Sequence, residues 1–314
     1  MAMAALRHAI ARLLALLLPA LAVLVGVATL VFLLLHLAPG DPVETMLGER
    51  ASAADRAALR EALGLDAPLP VQYLRYLRDL AHFDLGLSLH TREPVAATIL
   101  ERLPYTAILA VAALVCALVL ALPLGLYGAL RAGGLAETLT SVAAVLGMSL
   151  PSFVLGPLLM MVFAVWLGWL PIAAPGTVAG LVLPALTLGL ALAALLARMV
   201  RATVREVLAE DYIRAARARG LSEARVLWRH ALANAALPLL TVVGMQLGAL
   251  LGGAVITEIV FGWPGLGALT IEAIQRRDYP LVQACVLVVS VSYVAINLAT
   301  DALYGLCDPR TRTG

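Results

Sequence analysis

Lysine is absent from this 314-residue chain, and all 22 of its basic residues are arginine. A Walker A loop needs a lysine on the nucleotide phosphates, so the chain cannot contain one. If ATP drives this protein, another subunit must bind it. Cysteine is also scarce, and Cys116, Cys285 and Cys307 form no CxxC pair. The sequence therefore predicts neither a disulfide framework nor a zinc site, and the five scattered histidines add no metal-ligand spacing.

Charged residues are also scarce. Only 13% of the residues are charged, 62% are hydrophobic, and the mean hydropathy is +0.96. This composition excludes an ordinary soluble domain and is typical of a polytopic membrane protein. The formal net charge of +2 does not indicate nucleic-acid binding, because membrane topology accounts for the arginines.

Apolar runs of about 20 residues cross a bilayer as helices, and their distribution predicts a single all-α membrane domain. The first run is too long for a cleaved signal peptide, whose apolar core has about 7–15 residues, so we expect an uncleaved span with its N-terminus inside. An even number of spans then places the C-terminus inside as well. The predicted order is TM1 13–35, an external segment 38–103, TM2 105–130, TM3 138–167, TM4 178–200, internal helices 201–237, TM5 238–261, an external loop 262–280 and TM6 281–306.

Arginine density fixes the predicted orientation. The interval 198–238 has eight arginines and four acidic residues, whereas 38–103 has seven arginines and ten acidic residues. Basic loops stay on the cytoplasmic side, so 198–238 is predicted to be inside and 38–103 outside.

The external segment is predicted to form short helices. Ser52 precedes a helical stretch at 53–63 as a candidate cap. Residues 71–80 are amphipathic, with Tyr73, Leu74 and Leu77 on one stripe. The segment is too small for an enzyme domain, so we expect it to lie on the outer surface and help receive a partner.

The longest polar interval after residue 104 is 211–238, which reads DYIRAARARGLSEARVLWRHALANAALP. Tyr212, Ala215, Ala216 and Arg219 follow helical spacing on one face. Gly220 is expected to end that helix, and Ser222 to cap a second one. Two short helices joined at a glycine suggest a docking element for another protein. A solvated connecting loop is the competing interpretation, and charge alone favours it.

Several strings of the chain, spread from residue 38 to residue 280, resemble one family. The run Ala215-Ala216-x-x-x-Gly220 is similar to the glutamate-alanine-alanine-x-x-x-glycine loop of ABC importer permeases. EDYIRAARARGL followed by RHALANAALP, and TEIVFGWPGLGALTIEAIQRRDYP at 257–280, resemble the peptide and nickel branch, as do APGDPVE, LGLDAPLPVQY and FDLGLSL. One departure matters: Arg214 stands where the general motif has its glutamate, so an ion pair of other branches cannot be carried over.

The resemblance implies a type I ABC importer permease in the bacterial inner membrane, which works by alternating access. The implied partners are a second homologous permease, two cytoplasmic ATPases that bind ATP and Mg, and a periplasmic or lipid-anchored substrate-binding protein. This chain would bind no cofactor and would not be an enzyme. The residues expected to couple it to the ATPase are Asp211, Tyr212, Arg214, Ala215, Ala216, Arg217, Arg219, Gly220 and Leu221.

Polar residues inside predicted spans are candidates for the translocation path. They are Ser149, Ser152, Gln246, Glu258 and Asn297. Ser149 and Ser152 flank Pro151, so they can instead satisfy the carbonyl that a proline kink frees. Glu258 is close enough to the outer end of its span to be simply solvated.

The expected substrate is a dipeptide or oligopeptide, with nickel or a chelated metal as the alternative. No histidine or cysteine cluster lies in the spans, which favours peptides or a chelate over a bare metal. An ion-coupled secondary transporter is a different class, but it usually carries ionisable residues in mid-span, and spans one to four have almost none. A sensor or scaffold without transport is the third class.

Overall fold

The computed structural model describes residues 2–37, 42–47, 52–62, 64–130 and 150–307. Within these ranges the regular elements are helices, which confirms the all-α prediction, and the β-structure consists of one isolated bridge between Leu87 and Pro94. The helices are α1 Ala2–Leu37, α2 Pro42–Leu47, α3 Ala53–Ala62, α4 Leu69–Ala81, α5 Val95–Leu130, α6 Ser152–Leu159, α7 Val178–Ala209, α8 Asp211–Ala218, α9 Glu223–Arg225, α10 Leu232–Gly253, α11 Val255–Val260, α12 Leu266–Gln275 and α13 Tyr279–Cys307. Two π-helical turns, Met160–Trp166 and Val226–Ala231, follow α6 and α9.

Four of the described helices are long and apolar enough to cross a membrane. They contain the stretches Leu17–Leu37, Val95–Leu130, Val178–Ala209 and Tyr279–Tyr304. Glu223–Ala236 and Pro238–Gly252 together make a fifth candidate, with a bend of 52° between them. Proline lacks the amide hydrogen that an α-helix needs at this point and its ring clashes with the preceding turn, so Pro238 accounts for the bend.

The third predicted span, 138–167, is only partly described. Residues 138–149 lie outside the described ranges, as do the predicted inner turn at 131–137 and the tail after residue 307. The remainder of that span is the apolar stretch Ser152–Trp166. The six-span order therefore stays a prediction.

Helix α5 begins at Val95 and α7 ends at Ala209, each more than two helical turns beyond the predicted span. Hydropathy locates the part of a helix that can enter a bilayer, and a helix can continue into water beyond it. At its other end α7 is capped by Thr177, whose hydroxyl accepts a hydrogen bond from Gly180 N at 3.1 Å. This N-cap hydrogen bond gives a partner to one of the amide groups that the first turn of a helix leaves unpaired.

The chain forms two compact units. The first comprises the described residues of 1–104 and 265–294. Its core packs the beginning of α5 against α12 and α13 through fully or nearly fully buried Val95, Ile99, Leu266 and Cys285.

In the same unit, α4 packs on α1 through aromatic rings. The Phe32 ring lies 5.2 Å from that of Tyr73 and 5.8 Å from that of Tyr76. Tyr73 also shares a 2.6 Å hydrogen bond with Thr29. Leu74, predicted on the packed stripe with Tyr73, is instead 64% exposed, because the packed side of α4 is centred on its tyrosines.

The second unit comprises the described residues of 105–264 and 295–314. Small residues bring its helices close together. The backbone of Gly189 lies against Ala113 and Cys116, and a methyl group on Gly244 would overlap Thr300. Gly244 therefore lets α10 and α13 approach closely within this unit.

Candidate functional site

Residues 211–231, which we call the arginine turn, consist of α8, a glycine corner and the helical stretch from Glu223 to Ala231. Gly220 has φ +77°, a left-handed conformation that residues with a Cβ rarely adopt. Gly220 N donates to Arg217 O at 2.9 Å and Leu221 N donates to Ala216 O at 3.3 Å. This pair of bonds is a Schellman motif, which satisfies the last carbonyls of a helix. The predicted helix stop at Gly220 is confirmed.

Three buried side chains form an apolar cluster inside the arginine turn. Ile213 and Val226 are completely buried, Ala216 is 7% exposed, and Leu221 packs against them. A hydrophobic contact between the residue after the glycine and the last helical turn commonly accompanies a Schellman motif. Apolar packing across the corner therefore holds the two short helices together.

The predicted partner-facing residues do not all lie on the surface. Tyr212, Ala215, Arg219 and Gly220 are exposed, whereas Ala216 faces the cluster formed by Ile213 and Val226. Apart from its chain neighbours, no described residue lies within 4 Å of a methyl group placed on Gly220, so glycine is required there by conformation rather than by space. Ser222 precedes the second helix as predicted, but its side chain makes no capping hydrogen bond.

Two ion pairs lie on the surface of the arginine turn. Arg217 binds Glu223 across the corner through bonds of 2.8 Å and 3.1 Å, and Arg214 contacts Asp211 at 3.1 Å. The hydrogen bond from Arg217 lowers the pKa of the Glu223 carboxyl, and the same bond raises the pKa of the guanidinium. Because these groups are largely exposed, the pairs contribute little to stability.

Among the candidate path residues, Gln246 lines a cavity. The cavity has a volume of about 330 Å³, and its other walls are apolar side chains of α7 and α10, including Leu188, Leu192 and Leu250. Glutamine is its single polar lining residue within the described part of the chain. Such a surface offers one amide for hydrogen bonding and no charge.

Glu258 is not solvated, and this alternative prediction is wrong. The side chain has 0% exposure and accepts a 2.6 Å hydrogen bond from Thr106 Oγ1. Thr106 is equally enclosed, at 1% exposure. The residues are 152 positions apart, so no local pattern in the sequence could have indicated the pairing. The carboxyl group joins α5 to α11 within the second unit.

The other candidate path residues have separate environments. Ser152 is half-buried in the first turn of α6, and Asn297 is half-buried on α13. Neither lines the Gln246 cavity, and Ser149 lies outside the described residues. The described structure thus does not gather these predicted residues into one site.

A second polar cluster, which the sequence did not indicate, lies in the first unit. Asp278 is 1% exposed and accepts hydrogen bonds from Ser88 Oγ, from Leu89 N at 3.2 Å and from Leu281 N at 3.4 Å. The last bond caps the start of α13. His90 Nε2 lies 2.6 Å from Arg276 O. We call residues 84–94 together with 276–281 the aspartate clasp.

Comparison with known proteins identifies the class. The family model described as binding-protein-dependent transport system inner membrane component matches residues 117–313, and the model of the N-terminal part of such components matches residues 6–110. The chain belongs to this family. It is a permease of a binding-protein-dependent ABC importer, a multi-pass protein of the bacterial inner membrane and not an enzyme.

Curated relatives are similar to this chain over nearly its whole length. The chain is 43% identical over 286 residues to the glutathione transport system permease protein GsiC of Pectobacterium atrosepticum and 42% identical to that of Escherichia coli K12, covering 91% of this chain and 94% of each relative. Two inward-facing structures of the MetNI methionine ABC transporter share the fold, with TM-scores of 0.59 and 0.57. They are 19% and 18% identical and cover 69% of this chain and 99% of theirs.

Family membership also places the chain in a complex. An importer of this kind includes an ATPase and a substrate-binding protein, and ATP hydrolysis belongs to the separate ATPase subunit. The absence of lysine from the chain agrees with that division of labour.

Proposed function

We propose that the arginine turn is the element through which the ATPase moves this permease. The observation that carries the proposal is the division of the turn into an anchored side and an open side. Ile213 and Val226 are buried within the turn, where Leu208 of α7 packs against their cluster, while Ala215 and Gly220 are exposed. A small exposed alanine lets another protein's backbone approach closely. Tyr212 adds an exposed aromatic ring, whose hydroxyl accepts a 2.8 Å hydrogen bond from Asn234 on α10.

In this proposal the coupling residues have two kinds of role. The contact residues are Asp211, Tyr212, Arg214, Ala215, Arg217, Arg219 and Gly220. Ala216 and Leu221 support the contact surface from inside and do not touch the partner. A displacement of α8 reaches the fifth span by two routes, the packing of Ile213 on Val226 and the hydrogen bond from Asn234 to Tyr212.

Ala215→Trp tests the proposal. The substitution adds a bulky ring to the exposed side without disturbing the anchored side, so we expect the complex to assemble poorly and ATP hydrolysis to become independent of substrate. Ala233→Trp is the matched control, because Ala233 is exposed but lies on α10 beyond the arginine turn. Substrate-stimulated ATPase activity and uptake are measured together in reconstituted vesicles. Normal coupling in Ala215→Trp would exclude a partner at this surface.

The proposed assembly contains a second homologous permease and two ATPases that bind ATP and Mg. The substrate-binding protein docks on the outer loops, 38–103 and 262–280. Six spans in each permease enclose half of a path that opens alternately to the two sides. Four long apolar helices and a fifth bent one support the six-span order. Ser149, Ser152, Gln246 and Asn297 remain the proposed lining residues. The apolar cavity beside Gln246 supports Gln246 most directly. Glu258, which was predicted with them, is completely buried against Thr106 and is not proposed as a lining residue.

We propose small peptides as the substrate, with glutathione as the first to test. The support is the identity to permeases named for glutathione transport over nearly the whole chain. Uptake of labelled glutathione, a dipeptide and nickel is compared in a strain that lacks the transporter and in one that carries it. Restored nickel uptake without peptide uptake would overturn the assignment.

A further inference from the structure

The first unit holds a half-open cavity of about 480 Å³ at which α1, α4, the loop after α4 and the start of α13 meet. Part of its wall is fixed by a hydrogen-bonded chain. The two ring nitrogens of His36 lie 2.7 Å from Phe32 O and 3.2 Å from Gln72 Oε1, and Gln72 Nε2 donates to Leu65 O and Ala67 O. The cavity is therefore preformed, and these polar groups are already occupied.

Three hydrogen-bond donors of the cavity wall are left without partners among the described residues. Arg75 and Arg92 both line the cavity, and within the described part of the chain their guanidinium groups make no hydrogen bond or ion pair. Tyr76 also lines it, and its buried hydroxyl oxygen has no hydrogen-bond partner among the described residues. Burial and the neighbouring Tyr73 raise the pKa of Tyr76 to about 12, so the phenol keeps its proton. By contrast, the acidic lining residues Asp79 and Asp84 have partners of their own.

A buried hydroxyl without a partner is costly, and unpaired donors around one cavity complement a ligand rich in acceptors. An oxyanion with several oxygens, such as a phosphate group, suits two guanidinium groups particularly well. The remaining wall includes the apolar side chains of Phe32 and Leu287. A ligand that fits the whole cavity thus combines an anionic head with an apolar portion.

The position of the cavity favours a lipid as the source of that phosphate. Phe32 and His36 belong to the membrane-spanning stretch of α1, where neighbouring Leu30, Leu33 and Leu34 are 59%, 47% and 56% exposed. In a bilayer such leucines meet acyl chains. We propose that the cavity binds the phosphodiester headgroup of an outer-leaflet phospholipid, held by Arg75, Arg92 and Tyr76, with the start of an acyl chain along Phe32 and Leu287.

This inference rests on the outward orientation given under the proposed function, but its test does not depend on transport. The complete transporter is purified in mild detergent from membranes containing phosphatidylethanolamine and phosphatidylglycerol, and retained phospholipid is counted by native mass spectrometry. We expect bound lipid in the wild type and about tenfold weaker retention for each arginine replaced in Arg75→Ala and Arg92→Ala, since each removes a charge-assisted hydrogen bond. Arg60→Ala, an exposed change on α3 outside the cavity, should retain lipid normally.

Tyr76→Phe tests whether the Tyr76 hydroxyl binds a ligand or is simply left without a partner. If the hydroxyl binds lipid, the variant loses retention; if it has no ligand, the variant is more stable and retains as much lipid as the wild type. Equal retention in all variants would overturn the proposal, as would displacement of every bound lipid by inorganic phosphate alone. A wild-type complex that retains lipid but shows no peptide uptake would count against the proposed function and not against the site.

Discussion

The arginine turn and the aspartate clasp hold chain segments in place by opposite means. In the clasp, one buried carboxyl group, Asp278, accepts bonds from a side chain and two backbone amides. In the arginine turn, the polar pairs are exposed, and the shape is set by a glycine and a small apolar cluster. A buried polar group that loses its partner destabilises the fold strongly, because water cannot replace the partner. An exposed ion pair contributes little to stability, because water can replace it. The same residue types therefore stabilise one segment strongly and the other weakly.

Removing the central carboxyl of the clasp should have the largest effect. Asp278→Ala leaves the Ser88 hydroxyl and the Leu89 and Leu281 amides without their acceptor, and we expect a loss of about 3 kcal/mol or more in stability of the first unit. Limited proteolysis within 84–94 in detergent measures it.

Glu272→Ala is the control for that change. Glu272 forms an exposed ion pair with Arg276 nearby, and its loss should cost at most about 1 kcal/mol. Equal protease sensitivity of the two variants would contradict the contrast between enclosed and exposed polar groups.

Truncating the apolar anchor of the arginine turn comes next. Ile213→Ala removes a completely buried side chain from contact with Val226 and should cost about 2–4 kcal/mol locally. Arg214→Ala, on the same helix but with a 71% exposed side chain, should cost less than about 1 kcal/mol. Amide hydrogen exchange of residues 211–231 distinguishes the two, and similar exchange would show that packing does not fix the turn.

Gly220→Ala should have a smaller effect. The space around Gly220 is open, so the penalty is confined to the left-handed backbone, at about 1 kcal/mol. Gly220→Asn should cost less, because asparagine tolerates that conformation better. Exchange of the Leu221 amide, which donates across the corner, reports the change. Faster exchange in the asparagine variant than in the alanine variant would contradict a purely conformational role.

The smallest effect should come from the ion pair between Arg217 and Glu223. The folded pKa of Glu223 is lowered by the hydrogen bond from Arg217, so the stabilisation is complete above the ordinary glutamate pKa of about 4.3. It is lost as pH falls below that value and through the lowered pKa. Glu223→Gln should flatten this dependence in hydrogen exchange at the turn between neutral and acidic pH. An unchanged pH profile would show that another carboxyl is responsible.

The sequence predicted best what depends on neighbouring residues. The helix stop at Gly220 follows from glycine's access to positive φ, and the cap at Ser52 follows from its position, with Asp55 N donating to the Ser52 hydroxyl at 3.1 Å. Hydropathy found the apolar parts of α1, α5, α7 and α13. In each case the information lies within a few residues.

What the sequence missed depends on contacts between distant residues. Ser88 and Asp278 are 190 positions apart, and Glu258 meets Thr106 only because α5 and α11 belong to one unit. Ala215 and Ala216 are the same residue type at adjacent positions, and Ala216 is the one that is buried, in the cluster with Ile213 and Val226. Arg75 and Arg92 likewise look like ordinary surface charges until the cavity between them is seen.

In the arginine turn, the Schellman motif at Gly220 fixes the path of the backbone independently of the exposed side chains. Backbone bonds and the interior residues Ile213, Ala216, Leu221 and Val226 set the path of the chain, so none of the outward side chains is needed to maintain it. Arg214 can therefore replace the acidic residue of the general motif without remodelling the corner. Under the proposed function, a change of surface charge alone would alter the contact with the ATPase while the corner keeps its shape.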